Sequence, residues 1–136
     1  MKLNQILAIS RPRFWLYEMG TYFIGVLVAT SFLGDFLRPE ILIFGFFFLI
    51  PANILIYGIN DIFDYETDKL NPKKVEYEAL LVPEKHKAVW IWILATNIPF
   101  LVYAFSLSVR TALYLLIFYF FASFYSAIPV CAEIRP

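Results

Sequence analysis

Apolar and polar positions in this chain alternate on the scale of whole helices. Phe14 to Gly34 is interrupted by one charge, Glu18, and Ile41 to Ile59, Ala88 to Val109 and Thr111 to Ala132 contain none. Each stretch holds about twenty residues, and at about 1.5 Å per residue such a helix is about 30 Å long, the thickness of a bilayer's hydrocarbon core. None has the charged face that a helix on the surface of a soluble protein needs. The pattern predicts an all-α, polytopic transmembrane helix bundle, one membrane domain over 1–136. Its four spans are 14–34, 41–59, 88–109 and 111–132, with a polar segment, 60–87, between the second and third. The first run is too long for a cleavable signal peptide and lacks a small-residue cleavage site. Pro51 and Pro99 fall inside spans and predict kinks, which membrane helices tolerate where neighbours or water satisfy the freed carbonyl.

Composition agrees with the pattern. The chain has 136 residues, 61% hydrophobic and 20% aromatic, with Phe alone supplying fifteen. Soluble domains hold roughly 45–50% apolar residues. The formal net charge is zero, which gives no bulk attraction to nucleic acid. The single cysteine, Cys131, excludes an internal disulfide and a cysteine-based zinc cluster. The single histidine, His86, is expected in a solvated loop. Lys2, Arg11 and Arg13 flank the first span, and Lys69, Lys73, Lys74, Lys85 and Lys87 lie in 60–87, whereas the other two connections hold Arg38 and Arg110. The positive-inside rule then places the N-terminus, the segment 60–87 and the C-terminus in the cytoplasm. The expectation is a multi-pass protein of the cytoplasmic (inner) membrane, surrounded by membrane lipid.

The charges are concentrated at NDIFDYETDKLNPKK, residues 60–74. If the second helix continues past Ile59, each residue turns it by about 100°. Relative to Asn60, Asp64 then falls near 40°, Asp68 near 80° and Asp61 near 100°, about a quarter of the circumference, with Glu66 near 240° on the other side. Neighbouring carboxylates repel, more strongly where water is excluded, so something positive should sit among them. Carboxylate oxygens suit a hard divalent cation, magnesium in particular. An EF-hand is excluded because the run has no glycine. Spacing leaves a second reading open: a solvated helix end whose charges mark the membrane boundary. Glu18, about one turn into the first span, is either a functional carboxylate or a group hydrated at a shallow interface. The segment 70–87 reads equally as an interfacial helix or as a connecting loop.

NDIFDYETD resembles the first motif, N-D-x-x-D-x-x-x-D, of the UbiA superfamily of membrane prenyltransferases, and it lies at the cytoplasmic end of the second helix, as in that family. ISRPRFW is similar to the family's Arg-Pro entry to the first span, and FYSAIP to its Tyr-Ser-x-x-Pro stretch. SRPRFW with NDIFDYETDKLNPKK most resembles the carotenoid branch, the lycopene elongases. The resemblance implies magnesium (Mg2+) held by Asn60, Asp64 and Asp68, with Asp61 beside them, and Asp64 and Asp68 as the catalytic carboxylates. It implies Lys73 and Lys74 on the substrate diphosphate and Tyr125 lining the cavity, with Ser126 and Pro129 completing that motif. The partners implied are an allylic prenyl diphosphate and a hydrophobic acceptor: a carotenoid such as lycopene, or else a quinone or lipid.

The chain departs from the family at several points. The family's fold, carried over by analogy, has about nine helices and a second aspartate-rich motif. This chain is expected to be the N-terminal part of that larger fold, with a second chain as a candidate source of the other helices. Cys131 and Glu133 stand where the family commonly has arginine and lysine, and EALLVPE replaces an Arg-Pro-Leu. The isolated chain is accordingly expected to have little or no activity. The rival from another class is a non-catalytic membrane interaction subunit whose acids hydrate a helix end.

Overall fold

The computed structural model describes residues 1–70 and 80–127, and every regular element among them is helical. In chain order these are α1 (Leu3–Ile9), α2 (Trp15–Ala29), α3 (Pro39–Leu49), α4 (Pro51–Phe63), α5 (Tyr65–Asp68), α6 (His86–Leu107) and α7 (Val109–Ala127). Short 3-10 turns at Pro12–Phe14, Leu33–Leu37 and Pro83–Lys85 precede α2, α3 and α6.

Three helical stretches are long and apolar enough to cross a membrane: Pro39–Phe63, Pro83–Leu107 and Val109–Ala127. The run expected as the first span is shorter than its apolar stretch. Helix α2 has 15 residues, about 22 Å at the usual rise. Thr30 ends it in extended backbone while its Oγ1 donates to the Val26 carbonyl at 2.9 Å. The chain then turns through Leu33–Leu37 and restarts at Pro39, whose missing N–H is harmless at a first helical position.

Helix α4 is the centre of the packing, set against α3, α6, α7 and α1, while α2 leans on α3. One cluster joins Ile6 and Ile9 of α1 to Ile54, Leu55 and Ile59 of α4, Leu81, and Val89 and Ile93 of α6. A second joins Phe47, Ala52, Ala104, Ala112 and Leu115. In lipid such contacts are held by close packing and interhelical hydrogen bonds more than by escape from water. Gly58 lets α4 approach α6 closely, because a Cβ there would lie 3.1 Å from both Ile93 Cδ1 and Val89 Cγ1.

The kink expected at Pro51 is a one-residue interruption, with Ile50 N still donating to Phe46 O at 3.2 Å and Ile54 N to Ile50 O at 3.0 Å. Ile50 leaves the helical region (φ −124°, ψ −60°) and separates α3 from α4. Side chains cap the carbonyls around it. Asn53 Nδ2 donates to Phe48 O at 3.0 Å and Leu49 O at 3.1 Å, and Asn97 Nδ2 donates to Pro51 O at 3.1 Å. The Tyr119 hydroxyl donates to Asn97 O at 2.9 Å, which ties α7 to the same point. Pro99, in contrast, leaves α6 continuous.

His86 differs from the loop residue expected. It begins α6, half-buried, with Nε2 3.2 Å from Leu81 O and its ring edge-on to Tyr65 at 5.8 Å. The turn after α4 folds Tyr65 back onto it. Of the polar segment 60–87, residues 71–79 lie outside the described residues.

Replacing Asn97 with Leu should lower stability by about 0.6–1.7 kcal/mol, the usual worth of an interhelical hydrogen bond in a membrane. Gly58→Leu should cost about 1–3 kcal/mol through overpacking. Unfolding in a mixed detergent titration measures both, and Gly58→Leu should be the more damaging.

Candidate functional site

The acidic run begins inside α4 and continues through a bend. Asp64 takes up φ −88° and ψ 7° between α4 and α5. Even so, Asp64 N donates to Asn60 O and Asp68 N to Asp64 O, each at 2.8 Å. Four-residue spacing therefore survives the junction, and Asn60, Asp64 and Asp68 stay on one side, all half-buried. Asn60 Nδ2 donates directly to Asp64 Oδ2. Glu66, expected on the other side, is exposed and pairs with Lys69, whose ammonium is held above its ordinary pKa chiefly by that hydrogen bond.

Asp61 faces a different partner. It is only 7% exposed, and its Oδ1 accepts from Arg11 Nη2 at 2.7 Å. Arg11 sits at the elbow between α1 and the Pro12–Phe14 turn in left-handed backbone (φ 50°, ψ 75°). Such a conformation costs a residue other than glycine about 1–3 kcal/mol and persists where surroundings enforce it. Here they do. Ser10, fully buried, donates from Oγ to Leu7 O at 2.7 Å, and Trp15 Nε1 donates to Ser10 Oγ at 3.0 Å. The guanidinium also lies 4.5 Å from the Tyr57 ring centroid, a cation–π distance.

These groups border a cleft of about 600 Å³ whose walls include Arg11, Glu18, Tyr57, Asn60, Phe118 and Tyr125. A second cleft of about 490 Å³ shares Glu18 and Phe118 and continues past Tyr22, Val26 and Phe48. A third, about 200 Å³, shares Tyr22, Phe48 and Phe118. The first cleft has charged walls, and the two beside it are lined mainly by aromatic and aliphatic side chains. That suits a ligand with a polar head and a long apolar body.

The residues singled out from the sequence are distributed unevenly. Asn60 and Tyr125 line the cleft, although Tyr125 is 74% exposed and stands at its mouth. Asp64 is joined to Asn60, and Asp61 is engaged with Arg11. Ser126 is buried and donates to Ala122 O at 2.9 Å. Lys73, Lys74, Pro129, Cys131 and Glu133 lie outside the described residues. Among the described residues no three His, Cys, Asp or Glu side chains converge as a metal site. The donor set of Asn60, Asp64 and Asp68 still fits magnesium, which is commonly held by one or two carboxylates and completed by substrate phosphates. Sequence reasoning did not find Arg11 and Tyr57 as site residues. Arg11 is fifty positions from Asp61, and spacing along one helix carries no signal for such a contact.

Curated proteins from several organisms match this chain. It is 45% identical over 78 residues to a lycopene elongase/hydratase of Haloferax volcanii, covering 57% of this chain and 26% of the relative. It is 37% identical over 105 residues to a lycopene elongase/hydratase of Corynebacterium glutamicum, covering 76% and 35%. A C(50) beta-cyclic carotenoids biosynthesis protein of a Dietzia species is 39% identical over 95 residues, covering 69% and 21%. This chain is similar to carotenoid-biosynthesis proteins. The matches span between 21% and 35% of those three relatives' own length. No family model matches the chain. No solved structure matches it either.

Glu18, a carboxyl shared by the charged cleft and the largely apolar one beside it, should react with the hydrophobic reagent dicyclohexylcarbodiimide. Peptide mass spectrometry should find the adduct on Glu18 ahead of the exposed Glu84. Adducts on Glu84 with Glu18 unmodified would show that the clefts do not admit apolar molecules.

Proposed function

We propose that this chain is the N-terminal part of a membrane enzyme that transfers a prenyl group from an allylic diphosphate to the end of a carotenoid. In this reading the enzyme is a UbiA-type prenyltransferase, and α2 acts as a fourth, short span beside the three longer ones. The whole would be a nine-helix fold, with the N-terminus and the end of α4 at the cytoplasmic face. The observation that carries the reading is the Asn60–Asp64 contact at the charged end of an aromatic cleft, in a chain similar to lycopene elongase/hydratases.

The chemistry follows from what lines that cleft. Asn60, Asp64 and Asp68 would hold magnesium, which when bound supplies positive charge against the leaving diphosphate. Lys73 and Lys74 follow in sequence and would add to that charge. Tyr57, Phe118, Phe121 and Tyr125 border the same space. Aromatic walls exclude water from an allylic cation and attract it through their ring faces. The apolar clefts beyond Phe118 would take the acceptor, with the end to be prenylated beside the charged head.

Purified chain in detergent should bind dimethylallyl diphosphate only with magnesium present. Asp64→Asn and Asp68→Asn should each weaken that binding about tenfold or more, as loss of a charge-assisted ligand does. Glu66→Gln, on the exposed side, should leave it within about twofold of the original chain. Equal binding by all three variants would favour the interaction-subunit reading.

A further inference from the structure

We propose that Arg11 binds the diphosphate of the prenyl donor, and that Asp61 serves to hold the Arg11 guanidinium rather than to ligate a cation. This deepens the proposed function and rests on it. Among the described residues that line the charged cleft, Arg11 carries the positive charge, and it does so beside Asn60. Glu18 lies in the same wall and would repel an anion, so a diphosphate needs a fixed cation from the protein as well as any metal.

Arg11 is built for that task. A guanidinium is a planar fork of five N–H donors that matches phosphate oxygens in bidentate fashion and can serve a carboxylate and a phosphate together. Its Nη2 is anchored on Asp61 at 2.7 Å and its face rests on Tyr57. The left-handed backbone at Arg11, braced by buried Ser10 and the Trp15 hydrogen bond, fixes the base of the side chain. A charge already immobilised loses little conformational freedom when it binds, which raises affinity without new contacts. Strained backbone that the surroundings enforce is also typical of ligand clamps. Asp61 has the complementary property. It is buried against this guanidinium, whereas Asp64 is bonded to Asn60, so the two carboxylates have separate duties.

Calorimetric titration of the purified chain with inorganic diphosphate in the presence of magnesium tests the assignment. Arg11→Gln should weaken binding about ten- to hundredfold, and Arg11→Lys, which keeps charge but loses the fork, about three- to tenfold. Arg11→Gln leaves Asp61 buried and without its guanidinium, so the double variant Arg11→Gln/Asp61→Asn guards against misfolding. It should remain folded by circular dichroism and still bind diphosphate as weakly as the single variant. Asp61→Asn alone should leave the magnesium concentration needed for binding unchanged, while Asp64→Asn should raise it about tenfold or more. A folded double variant that binds diphosphate as tightly as the original chain overturns the role of Arg11. An original chain that binds no magnesium diphosphate overturns the proposed function, and this inference with it.

Discussion

A bilayer offers no water to a broken helix, so every carbonyl released by a bend has to find a donor within the protein. The break at Ile50–Pro51 is where this chain meets that constraint, and the rest of the bundle is arranged around the answer. Asn53 turns back to cap the end of α3, and Asn97 reaches across from α6 to the Pro51 carbonyl. Tyr119 then joins α7 to Asn97. The α3–α4 junction, α6 and α7 are thereby tied together at one point. Below that point α4 is free to run in its own direction and carry its polar end to the cleft.

The cleft combines two environments because two kinds of helix end there. From α4 come Tyr57 and Asn60, and from the elbow before α2 comes Arg11, so charge collects at one end. From α7 come Phe118, Phe121 and Tyr125, so the remainder is aromatic. Neither α4 nor α7 alone would set a charged end beside an aromatic one. The Arg11–Asp61 pair joins the elbow to α4 at the charged end. An ion pair this buried gains little net stability over apolar packing, but removing one partner is strongly destabilising. Its presence is better explained by what it positions than by what it stabilises.

Much of this was legible in the sequence, for identifiable reasons. Uncharged runs of about twenty residues have few options besides spanning helices, and three of the four appear as such. The run 14–34 did not, because Thr30 turns to extended backbone and ends α2 at Ala29, a turn that apolar composition does not register. The four-residue spacing of Asn60, Asp64 and Asp68 survived a bend at Asp64 because backbone bonding continued through it. Glu66 fell on the exposed side for the same reason. What could not be read was any contact between distant elements: Arg11 with Asp61, Asn97 with Pro51, His86 with Tyr65. Periodicity orders residues around one axis and is silent about which axes meet.

The brevity of α2 has a consequence for the surrounding lipid. A helix of about 22 Å cannot match a hydrocarbon core of about 30 Å without some accommodation. The apolar Phe32 and Leu37, both exposed in the turn after it, extend the greasy surface without extending the helix. Where α2 crosses the bilayer as the proposed fourth span, acyl chains beside it would have to shorten or splay to meet it, along the wall that carries Glu18. In that arrangement bilayer thickness would act on the cleft itself, and lipids of different chain length would not be interchangeable for this protein.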